Sequence, residues 1–224
     1  MLQNQTVNDF IREPACFPVE GSDGPYTHWF GGELETPVIP PGGDAPCHLL
    51  YTIDTENPLF PIRIEGTRFL PLIYCQQYNA AAMSYRVENG HITVDWIESL
   101  KWYPNFPYDA YPRAFPRRQV TLQPADQQAL HLLELAVDNN LIAEPPSADQ
   151  SRFGGWHYLC QGVPAIKCRN PHCRGGSLDV FGVIYQSPVK GVRIWDPDSD
   201  WSDVEIIYQI CSACSSIQVC NRCT

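Results

Sequence analysis

Six of the ten cysteines fall after residue 167, as Cys168-x4-Cys173, Cys211-x2-Cys214 and Cys220-x2-Cys223. Thiols at such spacings let two sulfurs of one backbone turn point at one ion. Two such turns supply four tetrahedral ligands, and zinc binds thiolate sulfur at about 2.3 Å. The set a sheet would bring together most readily is Cys168, Cys173, Cys211 and Cys214. A strand over 178–186, paired antiparallel with one over 204–211, returns the chain to its starting end and sets both pairs side by side. Cys220 and Cys223 are alternative ligands, but a set of Cys211, Cys214, Cys220 and Cys223 has only five residues between its pairs and requires a very tight fold-back. His157 and His172 are spare candidates, better read as hydrogen-bonded or surface side chains. The cysteines thus predict zinc without predicting an activity.

Elsewhere the chain reads as β-rich. Its 21 prolines and 15 glycines cut the apolar sequence into short runs bounded by turn signals. Strands are expected over 47–53, 67–75, 84–87, 91–96, 178–186, 192–195 and 204–211, with Asn89-Gly90 closing a hairpin. One segment differs. From Pro124 to about Leu141 the apolar positions Leu130, Leu133, Ala136 and Val137 follow a helical period, and Pro145-Pro146 stops it.

The sequences either side of that helix repeat one order. Phe30-Gly31-Gly32 leads to Cys47, the strand HLLYTID and a strand ending at Cys75. Phe153-Gly154-Gly155 leads to Cys168, the strand DVFGVIYQS and a strand ending at Cys211. The expectation is an internal duplication in which about 27–78 superposes on about 150–214, with the glycine pairs at equivalent turns. In the first copy Tyr78 stands where the second has the thiol of Cys214, so no metal is expected there. The predicted fold is α+β, mainly antiparallel, with two related halves (1–123 and 150–224) joined by the helix and linker of 124–149 and packed as one unit.

The FGG turn, the following cysteine, the apolar strand and a strand ending on cysteine with a tyrosine close by resemble the YwqG-like proteins, a bacterial family of unknown function. The resemblance runs from about Thr27 to the end and implies an α+β fold with an internal repeat and no established reaction. The cysteine-rich tail is heavier than in that family, which leaves the metal site resting on spacing alone.

A net charge of −10 with only 15 scattered Lys and Arg argues against nucleic acid or anionic membrane as a partner. The amino-terminal MLQNQTVNDF has neither a basic nor an apolar targeting region, and no run is long enough to span a bilayer, so a cytoplasmic location is expected. There, cysteines outside a metal site are expected as buried thiols rather than disulfides. A thiol-exchange role is disfavoured because Cys214 does not open a helix whose dipole would hold a thiolate. Asp196, Asp198 and Asp200 imitate a calcium loop, but Trp201 and Ile207 stand where it needs Gly and Glu, so they read as a solvated turn.

The segment 101–118 interleaves aromatic residues with prolines. Trp102, Tyr103, Phe106, Tyr108, Tyr111 and Phe115 have the composition of a protein-recognition surface; the other reading is a loop pinned to the sheet by its rings. The function expected is therefore a zinc-stabilised binding or adaptor protein with a protein partner, its metal structural. Two alternatives stand beside it: a hydrolase with a groove between the halves, and an immunity protein whose acidic surface meets a basic toxin.

Overall fold

Strands this short and this apolar must find partners, and here they do so in one continuous sheet. The computed structural model describes residues 10–76, 82–98, 114–142, 151–159, 161–164, 167–185, 187–194 and 204–223. Its elements are β1 (Cys16–Glu20), β2 (His28–Phe30), β3 (His48–Asp54), β4 (Phe69–Tyr74), β5 (Ala82–Glu88), β6 (His91–Ile97), β7 (Arg118–Pro124), α1 (Gln127–Asp138), β8 (Arg152–Phe153), β9 (Leu178–Ile184), β10 (Val204–Cys211) and β11 (Ile217–Cys223). They form an eleven-stranded antiparallel sheet in the order β4-β3-β2-β7-β1-β8-β9-β10-β11-β5-β6. The N-terminal and C-terminal segments interleave, because β1 lies between β7 and β8 while β5 pairs with β11.

The expected strand over 192–195 is not formed by its described residues; Val192 N–H instead closes a turn onto Val189 O. Five strands were not expected: β1, β2, β7 and β8, and β11, which returns from β10 through a short turn. β2 and β8 are three and two residues long, and β1 and β7 contain proline, so each is too short or too interrupted for an alternating pattern to show.

The sheet's β4 edge turns inward. Tyr85 Oη donates to Pro71 O at 3.0 Å and Tyr208 Oη donates to Ile73 O at 3.2 Å, so the carbonyls that an edge strand would leave open are capped from β5 and β10. Pro71 has no N–H to lose on this edge. Burial drives both phenols far above their usual range, so they stay protonated as donors. Around them runs a chain of rings: Tyr51 meets Phe30 at 5.4 Å and Phe153 at 5.6 Å, Phe60 meets Phe153 at 5.3 Å, and Phe181 meets Tyr208 at 6.0 Å. Phe115 belongs to this core, 2% exposed and packed on Phe30 and His48, so it offers no face to a partner. Residues 102–111 lie outside the described residues.

Both FGG turns meet the sheet at a bulge. Leu50 is skipped in the β3–β4 register and Phe181 in the β9–β10 register; Gly31 N–H donates to Leu50 O at 2.8 Å, and Gly154 N–H to Phe181 O at 2.7 Å. Gly31 and Gly154 have φ of 65° and 67°, and a Cβ on either would run into a backbone carbonyl, of Pro116 or Pro14.

A second apolar cluster, including Trp156, Leu159, Val183, Ile207 and Cys220, lies under α1. Asp126 caps that helix by accepting from Ala129 N–H at 3.0 Å, and Arg12 binds Glu134 at 2.7 Å.

Two outcomes follow. Tyr208→Phe strands the Ile73 carbonyl and should cost about 1–3 kcal/mol, read as the shift in urea midpoint; no shift would mean the hydroxyl is dispensable. The second concerns His28, whose Nδ1 accepts from Asp54 N–H at 3.1 Å and whose pKa burial pushes down to about 4 against the pull of Asp54. The unfolded chain protonates this ring near pH 6.5, so between about 6.5 and 4 it binds more protons than the native state and stability falls as pH falls. Burial would raise the Asp54 carboxyl, but the Arg68 guanidinium and Glu56 N–H hold it below the ordinary value, adding a further loss at still lower pH. His28→Gln should flatten the slope of stability between pH 6.5 and 4.

Candidate metal centre

The second cysteine pair sits in the connection between β10 and β11. Ile210 pairs with Ile217, Cys211 N–H donates to Ser216 O and Ser215 N–H to Cys211 O, both at 2.9 Å, with Ser215 at a φ of 56°. This turns Cys211 and Cys214 to one side. The first pair lies in the loop leading into β9, where Cys173 N–H closes onto Asn170 O at 3.0 Å and Asn170 Oδ1 accepts from His172 N–H at 2.9 Å. Ser212 N–H donates to Ser177 O at 3.0 Å and locks the two loops together.

The result is a four-sulfur cluster: Cys168, Cys173, Cys211 and Cys214 lie with all Sγ atoms within 4.8 Å of one another. Cys168 and Cys214 are 3.5 Å apart, and Cys173 and Cys211 3.7 Å. Four sulfurs tetrahedral about an ion at 2.3 Å stand about 3.8 Å from each other, so the cluster has the dimensions of a thiolate metal site.

Backbone amides aim at these sulfurs. Gly175 N–H reaches Cys173 Sγ at 3.4 Å, Asn170 N–H serves Cys168, and the Ala213 and Cys214 amides serve Cys211. Such donors stabilise thiolate. The Gly175 amide holds Cys173 below the ordinary thiol value. Burial and neighbouring sulfurs push Cys168 and Cys211 up. Lys167, Arg169 and Arg174 flank the first pair in sequence, and the Arg169 guanidinium stacks on Trp96 of β6 at 4.5 Å.

No protein-family model, curated protein or solved structure matches this chain. The geometry of its own residues therefore carries the functional argument.

The structure brings together the four cysteines that spacing selected and leaves Cys16, Cys47, Cys75 and Cys220 elsewhere. Cys220 is 1% exposed in the second apolar cluster, where burial pushes its thiol up to about 12, so it is a core side chain and no alternative ligand. The side chain of Cys223 and residues 196–201 lie outside the described residues. His172 and His157 are not in the cluster; His157 is buried against the Phe10 ring. The expectation of free thiols fails at Cys47 and Cys75. These flank the His48–Tyr74 pair of β3 and β4, which sets them opposite each other with Cα atoms 4.1 Å apart, and they form a disulfide.

Sequence reading passed over Gly176. A Cβ there would lie 2.8 Å from Cys211 Sγ and 2.7 Å from both the Cβ and the backbone N of Ala213, so only glycine lets the two loops close. The Gly175-Gly176 pair directly after Cys173 was the available signal. Gly176→Ala should weaken metal binding by tenfold or more while leaving the far-ultraviolet circular dichroism unchanged, measured by competition with a chromophoric chelator.

Proposed function

We propose that this chain is a zinc-stabilised binding protein whose metal is structural. The observation that carries the reading is the closed four-sulfur cluster: four thiolates fill a tetrahedral zinc and leave no position for water or substrate. Zinc suits this donor set because it accepts four sulfurs without a geometric preference of its own. Bound there, it would tie the loop before β9 to the β10–β11 connection. The chain's part is to hold four sulfurs at ligand spacing, to point amides at them, and to keep Cys211 buried.

The same reading takes the halves as related copies. Its support is the repeated bulge at Leu50 and Phe181, the glycines that bond to both bulges, and the equivalence of Cys75 with Cys211 when the two strand pairs are aligned on them. The motif order shared with YwqG-like proteins supports placing the chain in that family. The binding role draws on the open groove beside Trp29, which lies within residues 27–117 and not between the halves.

Purified under reducing conditions, the protein should carry one zinc per chain by elemental analysis. Cys211→Ser should lose the metal and destabilise by about 4 kcal/mol or more, roughly 10 °C in melting temperature, while the exposed His172→Ala keeps both. Because protons compete for thiolate, zinc should be released as the pH is lowered. Metal-free wild type with an unchanged melting temperature would sink the reading.

A further inference from the structure

Among the described residues, the exposed large apolar side chains are Ile39, Phe69, Leu132, Leu135 and Leu141. They fall on two surfaces of opposite shape. Ile39 and Phe69 line a groove of about 920 Å³ whose floor carries Trp29, Thr52 and Pro71, with His91 and Ile92 of β6 opposite. Leu132 and Leu135 lie on one side of α1, with Leu141 just past its end. The opposite side of the helix holds Leu130, Leu133 and Val137 against the protein. A helix apolar on both faces is one built to be covered twice.

The sheet itself shows how such a helix seats. Register places Arg152, Val183 and Ile207 across β8, β9 and β10 as Trp29, Thr52 and Pro71 lie across β2, β3 and β4. That C-terminal row is covered by α1 and its cluster. The N-terminal row lies in the open groove, because the connection from β1 to β2 is only residues 21–27 where that from β7 to β8 carries α1. Charge agrees with shape. Between Asp126 and Asp138 the helix has no Lys or Arg; Glu134 is taken by Arg12 and Asp126 caps the other end, which leaves the exposed Asp138 as the carboxylate beside the apolar face. At the groove, Arg117 stacks on Trp29 at 4.2 Å and forms no ion pair among the described residues. Exposed Glu33 and Glu35 share the lining, so Asp138 must face Arg117 and not them.

We propose that the groove is a docking site for a second copy of this chain, which inserts the Leu132–Leu135 face of α1 with Asp138 toward Arg117. The contact is head-to-tail: each copy offers one groove and one helix, so pairs extend into rings or filaments.

Light scattering after size exclusion tests this. Wild type should exceed the 25.3 kDa monomer increasingly as its concentration rises. A helix variant (Leu132→Asp with Leu135→Asp) and a groove variant (Ile39→Asp with Phe69→Asp) should each associate at least tenfold more weakly. Mixed in equal amounts, they should restore a species that stops at the dimer, since one intact groove meets one intact helix. The single variants Leu132→Asp and Ile39→Asp serve the same scheme if a double variant melts early. A wild type that stays monomeric to roughly 1 mM, the weak end of specific association, overturns the proposal. So does association unaffected by either variant, or a mixture of stably folded variants that remains monomeric.

Discussion

An open sheet has two edges with unpaired backbone groups, and the way this chain disposes of one of them governs its whole interior. The β4 edge is folded inward and its carbonyls are taken by the hydroxyls of Tyr85 and Tyr208. A tyrosine can do this only if its ring is buried, so the capping demands a thick aromatic core. Phe30, Tyr51, Phe60, Phe153 and Phe181 supply it. The FGG turns follow from the same demand, since they deliver Phe30 and Phe153 to that core while the glycines let the chain pass close to the neighbouring strand.

The four-sulfur cluster is an outgrowth of this sheet and not a separate module. Its second loop is the β10–β11 connection, and its first hangs from the start of β9, which pairs with β10. Register alone therefore brings the loops to one end. The final approach, from neighbouring loops to four sulfurs at ligand spacing, depends on Gly176 and on the amides that turn inward.

The part of this legible in sequence was what depends on local pattern. Cysteine spacing selected the four clustered residues; Asn89-Gly90 marked the β5–β6 hairpin; the period around Leu130 marked α1. What was not legible depends on partners far away in the chain. β8 is two residues long and exists because β1 and β9 flank it. Cys220 looked like a ligand because it precedes Cys223 by three, yet β11 pairs with both β10 and β5 and turns its thiol into the second cluster. Phe115 looked like one ring of a surface stripe, and proximity to Phe30 and His48 decided otherwise. The disulfide was missed for the same reason, since the residues flanking His48 and Tyr74 meet only once β3 and β4 are paired.

The stacking of Arg169 on Trp96 gives the loop of Cys168 and Cys173 a reach beyond the four sulfurs. β6 is the other end of the sheet, and an uncovered edge strand is a template on which another chain can extend a sheet. A bulky cation laid over that strand, beside the Arg86–Asp95 ion pair, is the kind of obstruction that keeps such edges from adding strands. The residue that provides it sits between Cys168 and Cys173 of the four-sulfur cluster. Displacing that loop would thus do more than disturb four sulfurs: it would unguard an edge on which another chain could add a strand.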